Sequence, residues 1–269
     1  MYHRISLFTL FTMLGIGFFI GCSRNCNVNE KQDVNSTQED FVSMNVKNTI
    51  FSFFGAPGSG KGTIATDCIK KLGFKVLSTG NLCRESISRD DELGRSIKHY
   101  MNAGQLIPDQ LVTDMVEAWL LRETADGAPI VLDGYPRTQK QAVLFLDILK
   151  KRFPHYAFRV ISLVIPDEEI VERISQRLLC SNKACQAPTS FAQVADKENP
   201  TCAQCGASLI RREDDKEDVV RERLRVYAQH SSELLHFYKE LGQKIEELSV
   251  SGLSVDQVFE AFKTLISAH

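Results

Sequence analysis

The sequence predicts a three-layer α/β fold with a central parallel sheet, and two observations carry that expectation. From Thr49 onward, short apolar runs alternate with stretches of helical periodicity, the pattern of βα units whose helices cover both faces of a sheet. The first apolar run, Ile-Phe-Ser-Phe-Phe at 50–54, leads into Gly-Ala-Pro-Gly-Ser-Gly-Lys-Gly-Thr at 55–63, with a helical pattern starting at Lys61. Strand, glycine-rich turn and helix in that order are the setting in which a phosphate-binding loop works.

Taken in order, the strands are expected at 50–54, 75–77, 129–133, 159–165 and 244–248, each a short apolar run bounded by turn residues. The helices are expected at 61–72, 108–122, 138–152, 167–177 and 254–267. Two stretches interrupt the alternation. Residues 78–107 read as short helices joined by Gly94 and Gly104, a helical insert with no strand run of its own. Residues 178–211 lack helical periodicity, carry four clustered cysteines, and precede a long charged helix from 214 to about 241. Both look like appendages on the sheet.

With 269 residues, 43% hydrophobic and 25% charged, the chain can bury a sizeable core as one large domain or two small ones. A formal charge of −2 supplies no bulk attraction to nucleic acid or anionic lipid. Of the eight cysteines, Cys68 and Cys83 fall in apolar helical patterns and read as buried thiols. The first 22 residues carry Arg4 in a short head, an apolar run, and Gly21 before Cys22, a signal-peptide layout whose end is like a lipoprotein cleavage box. Residues 23–48 are rich in Asn, Gln, Ser, Asp and Lys and read as a tether. The organisation is therefore a leader and tether over 1–43 and a folded domain over 44–269. A translational start at Met44 is the competing reading of the leader.

Two sites carry chemistry. In the loop, Gly58, Ser59, Gly60, Gly62 and Thr63 let backbone amides curl around phosphate oxygens, the helix N-terminus adds partial positive charge, and Lys61 adds a full one. Gly62 stands where the common loop pattern has a hydroxyl that ligates Mg²⁺, so the metal should lean on phosphates, water and a second site. That second site is Asp133, at the end of the apolar run at 129–133, placed to hold water ligands of the Mg²⁺.

These motifs, followed by Ser78-Thr79-Gly80-Asn-Leu-Cys-Arg84, Asp133-Gly-Tyr-Pro-Arg137-Thr and Arg212-x-Asp214-Asp215, resemble the adenylate kinase family in order and spacing. The resemblance runs from Ile50 to the C-terminal helix. It implies a P-loop core, with 78–107 as the monophosphate-binding insert and 178–211 as the lid. It further implies a monomeric enzyme that moves the terminal phosphoryl of ATP to AMP with Mg²⁺, giving two ADP. Carried over residue by residue, Lys61, Arg173 and Arg177 contact ATP. Arg84, Arg137, Arg212 and Arg223 hold the AMP phosphate and the transferred group, and Thr79, Ile107, Gly134 and Gln141 line the AMP site. Lys61, Arg137, Arg173, Arg177, Arg212 and Arg223 are then the catalytic set. That fits a reaction needing alignment and charge neutralisation more than covalent help. Read as i and i+4 of one helix, Arg173 and Arg177 should project from the same face, although Glu169 can pair with Arg173 instead.

Thr79 and Gln141 favour adenine, since a glutamine amide offers both a donor and an acceptor to its edge; related kinases for UMP and CMP carry Ala and Asn there. A kinase for another monophosphate, and a non-catalytic nucleotide switch or zinc-ribbon interaction module, are the alternatives. Asn81, Tyr135 and Leu178 depart from the family's Asp, Phe and second Arg.

Cys180, Cys185, Cys202 and Cys205 form C-x4-C-x16-C-x2-C, two close pairs suited to tetrahedral thiolate binding of a structural Zn²⁺. Zinc-bearing lids of this family usually have two residues inside the first pair, where this chain has four. Disulfides in an exported form and free thiols remain alternatives. A cytoplasmic location follows from where ATP and AMP pools lie, with a lipid anchor at Cys22 as the other possibility.

Overall fold

The computed structural model describes residues 46–89, 92–182, 185 and 187–268. The leader and the tether up to residue 45, with Cys22 and Met44, lie outside the described residues. Residues 46–48, expected as tether, belong to the fold instead, Val46 being buried in the core and Asn48 bonded through its backbone to Gly127 and Ala157. The described elements run β1 (Thr49–Phe54), α1 (Lys61–Leu72), β2 (Lys75–Ser78), α2 (Thr79–Ser88), α3 (Glu92–Asn102), α4 (Asp109–Glu123), β3 (Ile130–Asp133), α5 (Gln139–Arg152), β4 (Ala157–Val164), α6 (Asp167–Ser175), β5 (Arg177–Cys180), β6 (Pro188–Ser190), β7 (Leu209–Ile210), α7 (Glu217–Glu240), β8 (Ile245–Ser249) and α8 (Val255–Ser267). No helix among the described residues is long and apolar enough to cross a membrane.

Five strands form the expected parallel sheet in the order β2-β3-β1-β4-β8. The central strand β1 is buried along its whole length, which is why it reads as a continuous apolar run instead of an alternating one. Successive side chains still leave by opposite faces. Phe51 and Phe53 pack with Ile64, Cys68, Phe259 and Phe262 of α1 and α8, while Ile50 packs with Val116, Leu120, Phe145 and Leu149 of α4 and α5. Beyond β1, the chain order jumps from β4 to β8 at the sheet edge. Arg159 on β4 reaches across to Glu246 on β8 through two bonds of 2.8 and 2.6 Å, and also donates to the Ile266 carbonyl at the end of α8 at 3.1 Å.

Three expectations change. The helix expected to run to residue 177 stops at Ser175, and Arg177 opens β5. Arg173 and Arg177 therefore do not share a helix face. Residues 177–180 pair on both sides, with β6 and with β7, in a three-stranded antiparallel sheet, and bury Leu178, Leu179 and Cys180; that packing outcompetes one more helical turn. Gly94 does not join two helices but lies inside α3, where its missing side chain lets the helix press against the Ser86 carbonyl of α2. The long helix starts at Glu217, after a short 3₁₀ turn at Glu213–Asp215.

Candidate active site

The loop between β1 and α1 is built by glycine geometry. Gly60 caps α1 in the left-handed region at φ 97°. Gly58 has φ 87°, and a Cβ there would meet Ile174 Cγ1 at 2.8 Å, so α6 packs directly beneath the loop. Ser59 is fully buried. Lys61 folds back over the loop, its ammonium donating to the carbonyls of Gly55 and Ala56 at 2.7 and 2.8 Å and to Ser59 Oγ at 3.2 Å. Burial pushes its pKa down to about 7, helped by Arg137, Arg223 and Arg177 and opposed by Asp133. A lysine held in its charged form here needs an anion nearby.

Asp133 reaches the loop because β3 lies beside β1 in register, Phe53 opposite Asp133. Ser78 Oγ donates to Asp133 Oδ2 at 3.1 Å, and that oxygen lies 3.5 Å from where a Cβ on Gly62 would sit. The carboxylate thus faces the position of the absent loop hydroxyl, an arrangement that fits a cation on bound phosphates held through water.

One cleft of about 980 Å³ brings together the loop, Thr79, Arg84, Ile107, Asp133, Gly134, Arg137, Gln141, Arg173, Arg177, Arg212 and Arg223. Two acidic residues organise the arginines. Arg177 makes a two-bond fork to Asp215, and Arg223 donates to the Asp214 carbonyl at 2.9 Å. Burial works to raise the Asp214 carboxyl, but Arg223, Arg84, Arg212 and Arg177 around it hold it below the usual range. Burial pushes Arg212 down to about 10, with Arg84 and Arg177 adding to the effect. The Nε atoms of Arg84 and Arg212 are buried without a partner. Unpaired guanidinium nitrogens at this depth call for acceptor oxygens from a ligand. Arg137 is steadied by its Nε donating to the Gly134 carbonyl at 2.7 Å. Arg173 does pair with Glu169, at 2.9 Å, and also donates to the Val250 carbonyl, while still lining the cleft.

At the other end of the cleft, Thr79 Oγ1 donates to the Gly134 carbonyl at 3.1 Å, so its hydroxyl is engaged internally. The departures are also accommodated. The Tyr135 hydroxyl bonds Thr113 Oγ1 at 2.9 Å in the core, Asn81 accepts from Arg84 at 2.5 Å, and Leu178 packs in the small apolar cluster of the antiparallel sheet. Arg122 and Trp119 also line the cleft. Nothing in the sequence marks them out, since each sits in an ordinary amphipathic helix.

The sulfurs of Cys180, Cys185, Cys202 and Cys205 lie within 4.8 Å of one another, with Cys180–Cys205 at 3.4 Å and Cys185–Cys202 at 3.8 Å. A tetrahedron with Zn–S arms of about 2.3 Å has edges of about 3.8 Å, and sulfurs in a disulfide stand far closer, at about 2 Å. The four residues fit a zinc ion, and the two extra residues of the first pair do not prevent it. Backbone amides of Gln204 and Cys205 bring the Cys202 thiol down to about 7, whereas burial pushes the Cys180 thiol up to about 12, so it is a bound cation that would hold the set as the thiolates a metal requires.

A parallel sheet with this loop at the end of its central strand, opposed by a shell of arginines, defines a P-loop enzyme built to move phosphoryl groups between nucleotides. Sequence comparison narrows the class. The profile of the family described as Adenylate kinase matches residues 53–243. Curated relatives named adenylate kinase include one from Archaeoglobus fulgidus, 40% identical over 190 residues (71% of this chain, 86% of the relative), and one from Fervidobacterium nodosum, 39% identical over 187 residues (70% and 84%). A third, from Dehalococcoides mccartyi, is 36% identical over 218 residues (80% and 95%). The chain belongs to the adenylate kinase family, enzymes that transfer phosphoryl groups between adenine nucleotides.

Proposed function

We propose that the protein transfers the terminal phosphoryl of ATP to AMP, reversibly, giving two ADP, by a direct displacement within the single cleft. The observation that carries this reading is the convergence of Lys61, Arg84, Arg137, Arg177, Arg212 and Arg223 from six separate segments on one space, with two guanidinium nitrogens still awaiting acceptors. The loop residues Gly58 to Thr63 wrap the ATP phosphates, and Arg173 and Arg177 close on the triphosphate side. Arg84 and Arg137 grip the AMP phosphate, while Arg212 and Arg223 neutralise charge between the two nucleotides. An AMP phosphate oxygen forms the new P–O bond as the bridge oxygen of ATP takes the electron pair of the broken one, so no general base is required. Mg²⁺ on the nucleotide would supply further charge neutralisation, with Asp133 holding it through water.

Residues 178–211 act as a lid whose closure shuts water out and prevents hydrolysis of ATP. Two observations support that role: Thr189, Ser190 and Gln193 line the cleft, and Lys70 of α1 donates to Gln204 beside the cysteines at 2.7 Å. Zn²⁺ held by Cys180, Cys185, Cys202 and Cys205 braces the lid, with no open ligand position for chemistry. Residues 78–107 form the AMP-binding insert. The catalytic domain works as a cytoplasmic monomer, and a lipid-modified Cys22 found by mass analysis of the mature N-terminus would overturn that location. The test of the reaction is ADP formation from ATP with AMP, UMP, CMP or GMP as acceptor. Activity dominated by AMP is the expected result, and activity on a pyrimidine alone would overturn the reading.

A further inference from the structure

Gln141 is 2% exposed, lines the cleft, and has its amide fixed from both sides. Its Oε1 accepts from the Arg137 backbone N–H at 2.8 Å, and its Nε2 donates to Asp109 Oδ1 at 3.0 Å. The same Asp109 oxygen accepts from Thr138 Oγ1 at 2.9 Å, and Thr138 Oγ1 in turn accepts from the Gln141 backbone N–H at 3.1 Å. Asp109 opens α4 and Thr138 caps α5, so two helix starts converge on one amide.

An ionised carboxylate only accepts hydrogen bonds, and a backbone N–H only donates. Together they dictate which end of the Gln141 amide is nitrogen and which is oxygen. Reversing it would set nitrogen against the Arg137 N–H and oxygen against the Asp109 carboxylate, losing both bonds and opposing like poles. Each amide end keeps one unused hydrogen or lone pair for a ligand. That order of donor and acceptor matters to a purine. A 6-aminopurine offers an acceptor at N1 beside a donor at N6, whereas a 6-oxopurine offers a donor at N1 beside an acceptor at O6. A base in one pose can satisfy the amide in one orientation or the other, not both.

We propose that Asp109 is a positioning residue for acceptor specificity, locking the Gln141 amide in the orientation that accepts a 6-aminopurine monophosphate and rejects a 6-oxopurine. The inference rests on the assignment of Gln141 to the acceptor base made above. Its test is steady-state kinetics of the full chain and of Asp109→Ala, Asp109→Asn and Gln141→Ala, with AMP and GMP as acceptors at saturating ATP. In Asp109→Ala the KM for AMP rises and the AMP-over-GMP ratio of kcat/KM falls, each by about tenfold, the size of one mispaired polar contact, while the KM for ATP holds. Asp109→Asn, which keeps an acceptor oxygen for both donors, retains the ratio within about threefold. A wild-type ratio in Asp109→Ala, or an equal loss in both Asp109 variants, overturns the proposal. If Gln141→Ala itself keeps the wild-type ratio, the base assignment fails instead. Loss in Gln141→Ala with Asp109→Ala intact defeats the Asp109 inference alone.

Discussion

The ammonium of Lys61 donates to two carbonyls of its own loop and is ringed by arginines, so the free protein carries it at a free-energy cost that a bound polyphosphate removes. The sign of the pH dependence follows. Burial holds the folded-state pKa at about 7 against 10.5 for the free side chain, so between those values the nucleotide-free protein has lost a proton that the complex recovers. Triphosphate affinity is expected to fall as pH rises through that window, by up to about tenfold per unit, with proton uptake measurable by calorimetry in buffers of different ionisation enthalpy. Stability of the nucleotide-free fold moves the other way: the penalty from Lys61 is full below about pH 7 and fades as pH rises. Arg137 supplies a second expectation. Its guanidinium is fixed by Gly134 and faces the cleft, so Arg137→Ala lowers kcat with AMP by about a hundredfold or more while ATP binding stays near wild type; an unchanged turnover would refute its role. Residues whose chemistry is announced by a motif, such as Lys61 and Arg137, were legible in the sequence. Asp109 was not, because its partners Thr138 and Gln141 are about 30 residues away and only helix packing brings them together.

At the scale of elements, two cross-links merit measurement. The antiparallel sheet β6-β5-β7 covers a small apolar cluster of Leu178, Cys180, Ala187, Cys202 and Leu209, too few side chains to hold a sheet by burial alone. Metal analysis is expected to find about one zinc per chain, and Cys202→Ser to lose it together with several degrees of thermal stability. Absence of zinc from the wild-type protein would sink that reading. On the opposite edge, the Arg159–Glu246 pair is almost closed off from water, with Glu246 4% exposed. Glu246→Leu strands a guanidinium between β4, β8 and α8 and is expected to cost about 3 kcal/mol in urea unfolding, whereas the double change Arg159→Met with Glu246→Leu recovers much of it. The antiparallel sheet also explains the one site residue whose element was misjudged: residues 167–177 have helical periodicity throughout, yet pairing with Ser190 of β6 draws Arg177 into β5.

At the scale of the whole molecule, the segment proposed as a lid touches the core. Lys70 lies on α1, more than a hundred residues from Gln204, and their 2.7 Å bond is a direct link between the two bodies. If closure delivers the ATP side of the site, Lys70→Ala weakens ATP binding a few-fold at most, as expected for one exposed polar contact, and leaves the KM for AMP unchanged. Equal effects on both nucleotides would show that the contact acts on general stability instead.

The sequence by itself determined the order of the parallel βα units, the loop at the end of β1, Asp133 at the end of β3, the arginine motifs and the clustered cysteines, because each is a local pattern with a physical period or spacing. Only the tertiary structure decided which groups meet. It ended α6 at Ser175, drew Arg177 to Asp215, enclosed the Nε atoms of Arg84 and Arg212 without partners, and oriented the Gln141 amide between Asp109 and Arg137. Those outcomes depend on contacts between distant segments and on competition among packing, pairing and burial, which no single stretch of chain encodes.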